Sequence, residues 1–91
     1  MAIRTFADKR LARAARHGDY RKVPPPLRRR VRAALSDLDQ ARSPQEMALP
    51  RYRLHSLAGD LSGFLAIRVA RMERIIFRFE GGHAVMPMTC G

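Results

Sequence analysis

Basic side chains and one histidine recur at alternate positions in the C-terminal half of the chain. His55, Arg68 and Arg74 stand in three separate segments in which polar and apolar residues alternate. Because successive side chains of a strand point to opposite faces, a regular register would bring these three to one face of a sheet. An arginine-rich face with an aromatic ring suits a phosphodiester backbone and a stacked base. The residues predicted to bind RNA there are Arg51, Arg53, Phe64, Arg71 and Arg78.

The same face has groups that RNA cleavage requires. That reaction needs a base for the 2′-hydroxyl, cations around the transition state and an acid for the leaving oxygen. Histidine titrates near neutral pH, so His55 is the candidate base, and Arg68 and Arg74 are the candidate cations. His17 and His83 are weaker candidates, since one is expected at a helix end and the other in a turn. A solvated sheet face remains the alternative, because antiparallel sheets often expose charges on one side.

The charge balance favours a polyanionic partner. The 91 residues have 18 Lys and Arg against 8 Asp and Glu, a net charge of +10, and 16 of the 18 cations are Arg. Eleven cations precede residue 36, where the only acids are Asp8 and Asp19. Arginine grips phosphate in a planar, two-point geometry, so nucleic acid is the leading partner class and an acidic protein the second. A coding bias could explain the excess of Arg over Lys, but not the net charge.

Several protein classes do not fit this composition. A single cysteine, Cys90, allows neither an internal disulfide nor a cysteine-based zinc site. The longest apolar run, residues 64–67, is too short to span a membrane, and no apolar signal-peptide stretch begins the chain. We therefore expect one cytoplasmic domain over residues 1–91, with no metal ion and no cofactor.

The first half of the chain predicts two helices. Asp8 is a candidate N-cap of a helix through His17, and Gly18 is a natural stop. A second helix is predicted from Pro26 to about Gln40, because proline fits the first helical position and an apolar stripe follows. The residues of that stripe are Leu27, Val31, Ala34, Leu35 and Leu38.

The second half changes to the two-residue period of strands. Alternation predicts strands at 51–55, 64–69, 74–79 and 83–88, and a further short strand is predicted at residues 2–6 with Ile3 and Phe6 as anchors. Gly81 and Gly82 form a strong two-residue hairpin signal, and Pro87 confines the last strand to an edge or an end. The fold class is α+β, with two N-terminal helices packed on an antiparallel sheet of about four strands.

Two stretches of the chain resemble a known family. Residues 53–64, RLHSLAGDLSGF, resemble the RLHxLKGDLxGFW stretch of HigB-type toxins in the RelE-like superfamily. Residues 67–69 and 74–79, IRV and RIIFRF, resemble the hairpin of the same toxins. The start IRTF and the linker over residues 43–50 also match the family layout, so the resemblance covers nearly the whole chain.

The resemblance implies a RelE-like fold with a curved antiparallel sheet. It further implies the toxin of a type II toxin–antitoxin system, a metal-free endoribonuclease that cleaves mRNA in the ribosomal A site and inhibits translation. The implied partners are the ribosome, mRNA and a helix-turn-helix, HigA-like antitoxin, with operator DNA reached only through that antitoxin. By matching position, His55, Arg68 and Arg74 would be the basic residues of the active site.

The chain departs from the family at three places. The family's lysine is Ala58, its tryptophan before the matching arginine is Glu73, and residues 86–91 lack its terminal Tyr-His pair. These departures predict a weakened or altered nuclease, and Glu73 is expected to place a carboxylate beside the phosphate site. The alternative is a non-catalytic basic module that binds RNA, the ribosome or an antitoxin. A DNA-binding role for the arginine-rich helix ranks lower, because no recognition helix follows it.

Overall fold

The described part of the chain is built from helices first and a sheet afterwards. A computed structural model describes residue 3 and residues 5–90, with the backbone alone at residues 83 and 86–90. Within this part, α1 spans Lys9–His17 and α2 spans Pro25–Gln40. Four strands follow, β1 at His55–Ser56, β2 at Leu65–Ala70, β3 at Glu73–Glu80 and β4 at His83–Cys90. The predicted α+β class is therefore confirmed.

The ends of α1 follow from its capping residues. The Asp8 side chain accepts a hydrogen bond of 2.8 Å from the Arg10 amide, which satisfies one of the unpaired amides of the first turn. At the other end Gly18 adopts φ 66°, a left-handed conformation that glycine reaches without steric cost, and its amide donates to the Ala14 carbonyl. Both predicted boundaries of this helix are confirmed.

α2 begins one residue earlier than predicted, at Pro25 instead of Pro26. Proline at the first helical position costs the helix no backbone hydrogen bond, because an amide at that position would have no partner within the helix. The predicted apolar stripe is buried at Val31, Ala34, Leu35 and Leu38.

The four strands form one antiparallel sheet in the order β1-β2-β3-β4. Two-residue turns at 71–72 and 81–82 connect β2 to β3 and β3 to β4. β4 is an edge strand, the position that Pro87 predicts, because proline has no amide for a further neighbour.

One face of the sheet packs against the helices. Ile67, Val69, Ile75 and Phe77 are buried on this inner face, in one cluster with the apolar stripes of both helices. Strand alternation then sends the residues between them to the opposite, outer face. The outer face is not uniformly charged, because Ala66 and Ile76 pair across β2 and β3 and are themselves buried at its centre.

Two of the predicted strands are corrected by the structure. Residues 3, 5 and 6 belong to no strand, although Ile3 is buried and its amide donates to the Asp39 carboxylate at 3.2 Å; residues 2 and 4 lie outside the described chain. The strand expected from residue 51 begins only at His55. A turn occupies 50–52, where the Tyr52 amide donates to the Leu49 carbonyl, and left-handed Arg53 interrupts the extended backbone.

Candidate active site

Arg68 and Arg74 are direct cross-strand partners on the outer face. Like charges at such positions repel each other, since their β-carbons lie about 5 Å apart. The Arg74 side chain makes no hydrogen bond or ion pair with any described residue, although its backbone belongs to the sheet. An anion between the two guanidinium groups would remove the repulsion, so the pair is suited to holding a phosphate.

The Arg68 guanidinium is held in place by the β2–β3 turn. Its Nε donates to the Ala70 carbonyl at 3.2 Å and its Nη2 donates to the Arg71 carbonyl at 3.0 Å. These bonds fix the side chain without neutralising it, because carbonyl groups carry no net charge. Arg68 is therefore a positioned cation, which loses little side-chain freedom when it meets an anion.

His55 opens β1 and pairs with Ala66 of β2, the residue two places before Arg68. Its Nδ1 lies 2.9 Å from the Arg53 carbonyl oxygen. A carbonyl can only accept, so Nδ1 carries the hydrogen and Nε2 of the neutral ring has the free lone pair. The exposed imidazole thus presents a proton acceptor to solvent.

The orientation of His55 depends on an unusual backbone conformation. Arg53 has φ 47°, the only positive φ at a non-glycine residue in the described chain. Such a conformation costs an ordinary residue about 1–2 kcal/mol and concentrates at functional sites. Here it directs the Arg53 carbonyl onto the His55 ring.

A groove of about 320 Å³ brings the predicted catalytic residues together. All three of them line it, and two of the predicted RNA-binding residues, Arg53 and Arg71, line it as well. The sixth lining residue, Met72, is absent from the predicted site. Met72 lies at the tip of the hairpin turn, and 75% of its surface is exposed. The one feature of the sequence that could have indicated it is an apolar side chain within a two-residue turn.

The remaining predicted RNA-binding residues lie outside this groove. Arg51 donates to the Asp37 carboxylate at 3.1 Å and stacks over the Tyr52 ring, with its guanidinium carbon 5.0 Å from the ring centroid. Arg78 stacks in the same way over Phe64, at 5.2 Å, and pairs with Glu80. RNA binding by Arg51, Phe64 and Arg78 stays a prediction.

The expected carboxylate beside the phosphate site is corrected. Glu73 directly precedes Arg74 in β3, so the pleat sends the two side chains to opposite faces. Glu73 does not line the groove, and its charge acts on α1 instead. The pKa of Arg10 is raised mainly by the hydrogen bond and charge of Asp8, and further by Glu73.

Residues 3 and 5–90 contain no group of three His, Cys, Asp or Glu side chains that could hold a metal ion. Over the same residues, neither helix combines the length and apolar character that crossing a bilayer needs. The groove therefore has histidine and arginine as its chemical groups.

Two helices ahead of a four-stranded antiparallel sheet define an α+β domain consistent with the RelE-like fold. The sequence profile of a family described as "RelE-like toxin of type II toxin-antitoxin system HigB" matches residues 4–87 of the 91, so the chain belongs to this HigB-like toxin family. A comparison with curated proteins finds no match. The family resemblance is confirmed, and membership implies an antitoxin as partner.

Proposed function

We propose that this toxin is a ribosome-dependent mRNA endoribonuclease that inhibits translation in the cytoplasm. It acts as one domain over residues 1–91 and uses neither a metal ion nor a cofactor. Toxins of this family are generally endoribonucleases, which supports the reaction class. The observation that carries the proposal is that His55, Arg68 and Arg74 line one groove.

In the proposed reaction His55 is the general base. Its Nε2 takes the proton of a ribose 2′-hydroxyl, and the resulting O2′ attacks the adjacent phosphorus. The bond from phosphorus to the 5′-oxygen breaks, which leaves a 2′,3′-cyclic phosphate on one fragment and a 5′-hydroxyl on the other. The hydrogen bond from Nδ1 to the Arg53 carbonyl keeps Nε2 directed outward and stabilises the imidazolium that forms.

Arg68 and Arg74 are the proposed electrostatic catalysts. The pentacoordinate transition state carries more negative charge than the starting phosphodiester, and the two guanidinium groups, carried at paired positions of adjacent strands, bind that charge. Arg68 is already positioned by the turn carbonyls. Arg53 and Arg71 line the same groove, which supports their assignment to the flanking phosphates of the same strand.

The leaving 5′-oxygen takes its proton from solvent in this scheme. Among the residues that line the groove, His55 is the only side chain suited to general acid–base chemistry, and in this scheme it serves as the base. A missing general acid lowers a rate by about 10²–10⁴-fold. The enzyme is therefore proposed to be slow, and the ribosome compensates by presenting the mRNA strand.

The proposed partners follow from the same assignment. The antitoxin is a HigA-like, helix-turn-helix protein that covers the basic toxin, and operator DNA is bound only through it. The +10 charge of the toxin supports an acidic antitoxin surface, because opposite charges steer association and stabilise the complex.

The proposal is tested first in cells that express the toxin from an inducible promoter without an antitoxin. Wild type is expected to arrest growth and to fragment transcripts that are being translated. His55→Ala should abolish both effects. His17→Ala is the matched control, since it removes an exposed histidine at the end of α1 and should leave both effects intact.

Unchanged growth and intact transcripts with the wild-type protein would contradict the enzymatic proposal. Fragmentation that is equal in wild type and His55→Ala would remove His55 from its assigned role. If wild type instead co-sediments with ribosomes or RNA without cutting, the non-catalytic binding module is the better account of this chain.

A further inference from the structure

A second cavity adjoins the candidate active groove. It has a volume of about 460 Å³ and lies between α2, the turn before β1 and the end of β2. Its volume falls in the range of small-ligand sites, about 300–1,000 Å³. Five arginines surround it, namely Arg30, Arg51, Arg53, Arg68 and Arg71.

The five arginines differ in whether a carboxylate neutralises their charge. Arg51 is paired with Asp37, and Arg68 is held by turn carbonyls that leave its charge uncompensated. In the parts of the chain that are described, Arg30, Arg53 and Arg71 have no carboxylate within ion-pair distance. The cavity therefore concentrates unneutralised positive charge at a concave surface, where a bound anion gains most.

The floor of the cavity is apolar. Ala33 of α2 and Val69 and Ala70 of β2 line it between the arginines. A bare inorganic anion would gain nothing from such a floor, whereas a nucleotide presents both a phosphate and the flat surface of a base. Single-stranded nucleic acid is bound in grooves whose cations follow the phosphate backbone, and the apolar floor adds a surface against which a base can pack.

The cavity and the groove adjoin each other, because Arg53, Arg68 and Arg71 line both of them. We propose that the cavity binds a second nucleotide of the RNA strand that occupies the groove, with Arg30 of α2 holding its phosphate. This inference rests on the proposed function. It extends the RNA contact from the sheet onto α2 and gives the arginine-rich helix a direct role in binding.

The test measures binding of the full-length toxin to 2′-O-methyl RNA, which cannot be cleaved, by fluorescence anisotropy at several salt concentrations. The dinucleotide is chosen to occupy the groove alone, and the hexanucleotide is chosen to be long enough to enter the cavity as well. Arg30→Ala should weaken hexanucleotide binding about fivefold and lower the salt-dependence slope by about 0.7, the value for one single-strand phosphate. Dinucleotide binding should not change.

Arg29→Ala is the matched control, because it removes the neighbouring exposed cation of α2 that does not line the cavity. Equal effects of the two substitutions on the hexanucleotide would overturn the inference, and so would an equal loss for dinucleotide and hexanucleotide. An Arg30-dependent affinity for an acidic peptide, with RNA binding unaffected, would assign the cavity to a protein partner instead.

The inference and the proposed function fail in distinguishable ways. Wild type that binds no RNA at low salt would overturn both. Wild type that binds the hexanucleotide through Arg30 but never cleaves mRNA on ribosomes would refute the enzymatic function and leave the RNA site standing. Wild type that cleaves, with Arg30→Ala and Arg29→Ala indistinguishable in binding, would refute the second site alone.

Discussion

Arg53 combines a strained backbone with a role in orienting His55. Its φ of 47° costs an arginine or an alanine more than it costs a glycine, which has no β-carbon. Arg53→Gly and Arg53→Ala both remove the guanidinium group, so their comparison isolates the backbone term. We expect the glycine variant to have the larger free energy of unfolding, by about 1 kcal/mol. Urea denaturation measures the difference, and an alanine variant of equal or greater stability would show that the left-handed conformation is not populated.

The Arg68–Arg74 pair predicts a conflict between stability and activity. Arg74→Thr removes a like-charge cross-strand contact and adds a residue that favours strands, so it should raise the free energy of unfolding by about 0.5 kcal/mol. The same substitution should abolish cleavage. The stability gain should shrink in high salt, because salt screens the repulsion.

Arg78→Thr is the comparison for that experiment. Arg78 lies on the same strand but is stacked on Phe64 and paired with Glu80, so its removal should lower the free energy of unfolding. A loss of stability in both variants would mean that the Arg68–Arg74 contact is not repulsive in the folded protein.

Alternation was enough to predict that His55, Arg68 and Arg74 share one face and line one groove, and not enough to predict the environment of these side chains. His55, Arg68 and Arg74 meet because the pleat fixes the face of each strand residue once the register is regular. The carbonyl group that orients His55 belongs to Arg53, which has a positive φ. This conformation depends on tertiary contacts, and an arginine in the sequence does not indicate it. The stacking of Arg51 on Tyr52 likewise depends on where α2 places Asp37.

At the scale of elements, one partly buried cluster of Tyr52, Asp37 and Arg51 joins the turn before β1 to α2. The Tyr52 hydroxyl donates to the Asp37 carboxylate, which also accepts a bond from Arg51. Burial raises the pKa of Tyr52, and the hydrogen bond to Asp37 raises it further. Arg53 directly follows the turn, and the Tyr52 carbonyl accepts a hydrogen bond from the Arg68 amide at 2.7 Å. The cluster therefore positions two sides of the groove.

The pKa of Tyr52 predicts how stability depends on alkaline pH. A pKa raised by folding means that the neutral phenol contributes stability fully below its unfolded value of about 10, and loses it as the pH rises through the folded value. Tyr52→Phe should cost about 1 kcal/mol at pH ~8, where the wild-type hydrogen bond is present. The difference between the two proteins should close at pH values above ~10.

Urea unfolding at a series of pH values measures that difference. Tyr20→Phe is the control at the lower pH, since it removes a hydroxyl with no hydrogen bond to the described residues and should cost much less. A Tyr52→Phe deficit that stays constant or grows in alkali would contradict the assigned coupling between the phenol and Asp37.

Elements with local signals were predictable from the sequence, and elements without them were not. Asp8 and Gly18 mark both ends of α1, and the glycines at 81–82 mark the turn between β3 and β4. The alternation from residue 51 predicts a longer first strand, but Tyr52 reaches the core from a turn and Leu54 reaches it from the irregular backbone that follows. Two apolar residues at alternate positions do not distinguish these two conformations.

At the scale of the whole molecule, the fold separates its apolar and cationic surfaces. The helices cover the inner face of the sheet, while arginines from α2, the segment before β1 and β2 surround the groove and the adjoining cavity. Part of the net charge of +10 is thus concentrated around these two adjacent hollows. Composition alone predicts a polyanionic partner. It does not predict that Arg30 lines the cavity, because that position depends on how α2 packs beside β2.

The most direct test of the account is cleavage of an mRNA on purified, programmed ribosomes, with the new 5′ ends mapped by primer extension. Wild-type toxin should produce discrete ends within the occupied A-site codon, and the upstream fragment should end in a 2′,3′-cyclic phosphate. His17→Ala should give the same pattern, and His55→Ala should give none. Equal cleavage by His55→Ala, or no cleavage by wild type, would contradict the assignment of the His55 groove as a ribonuclease active site.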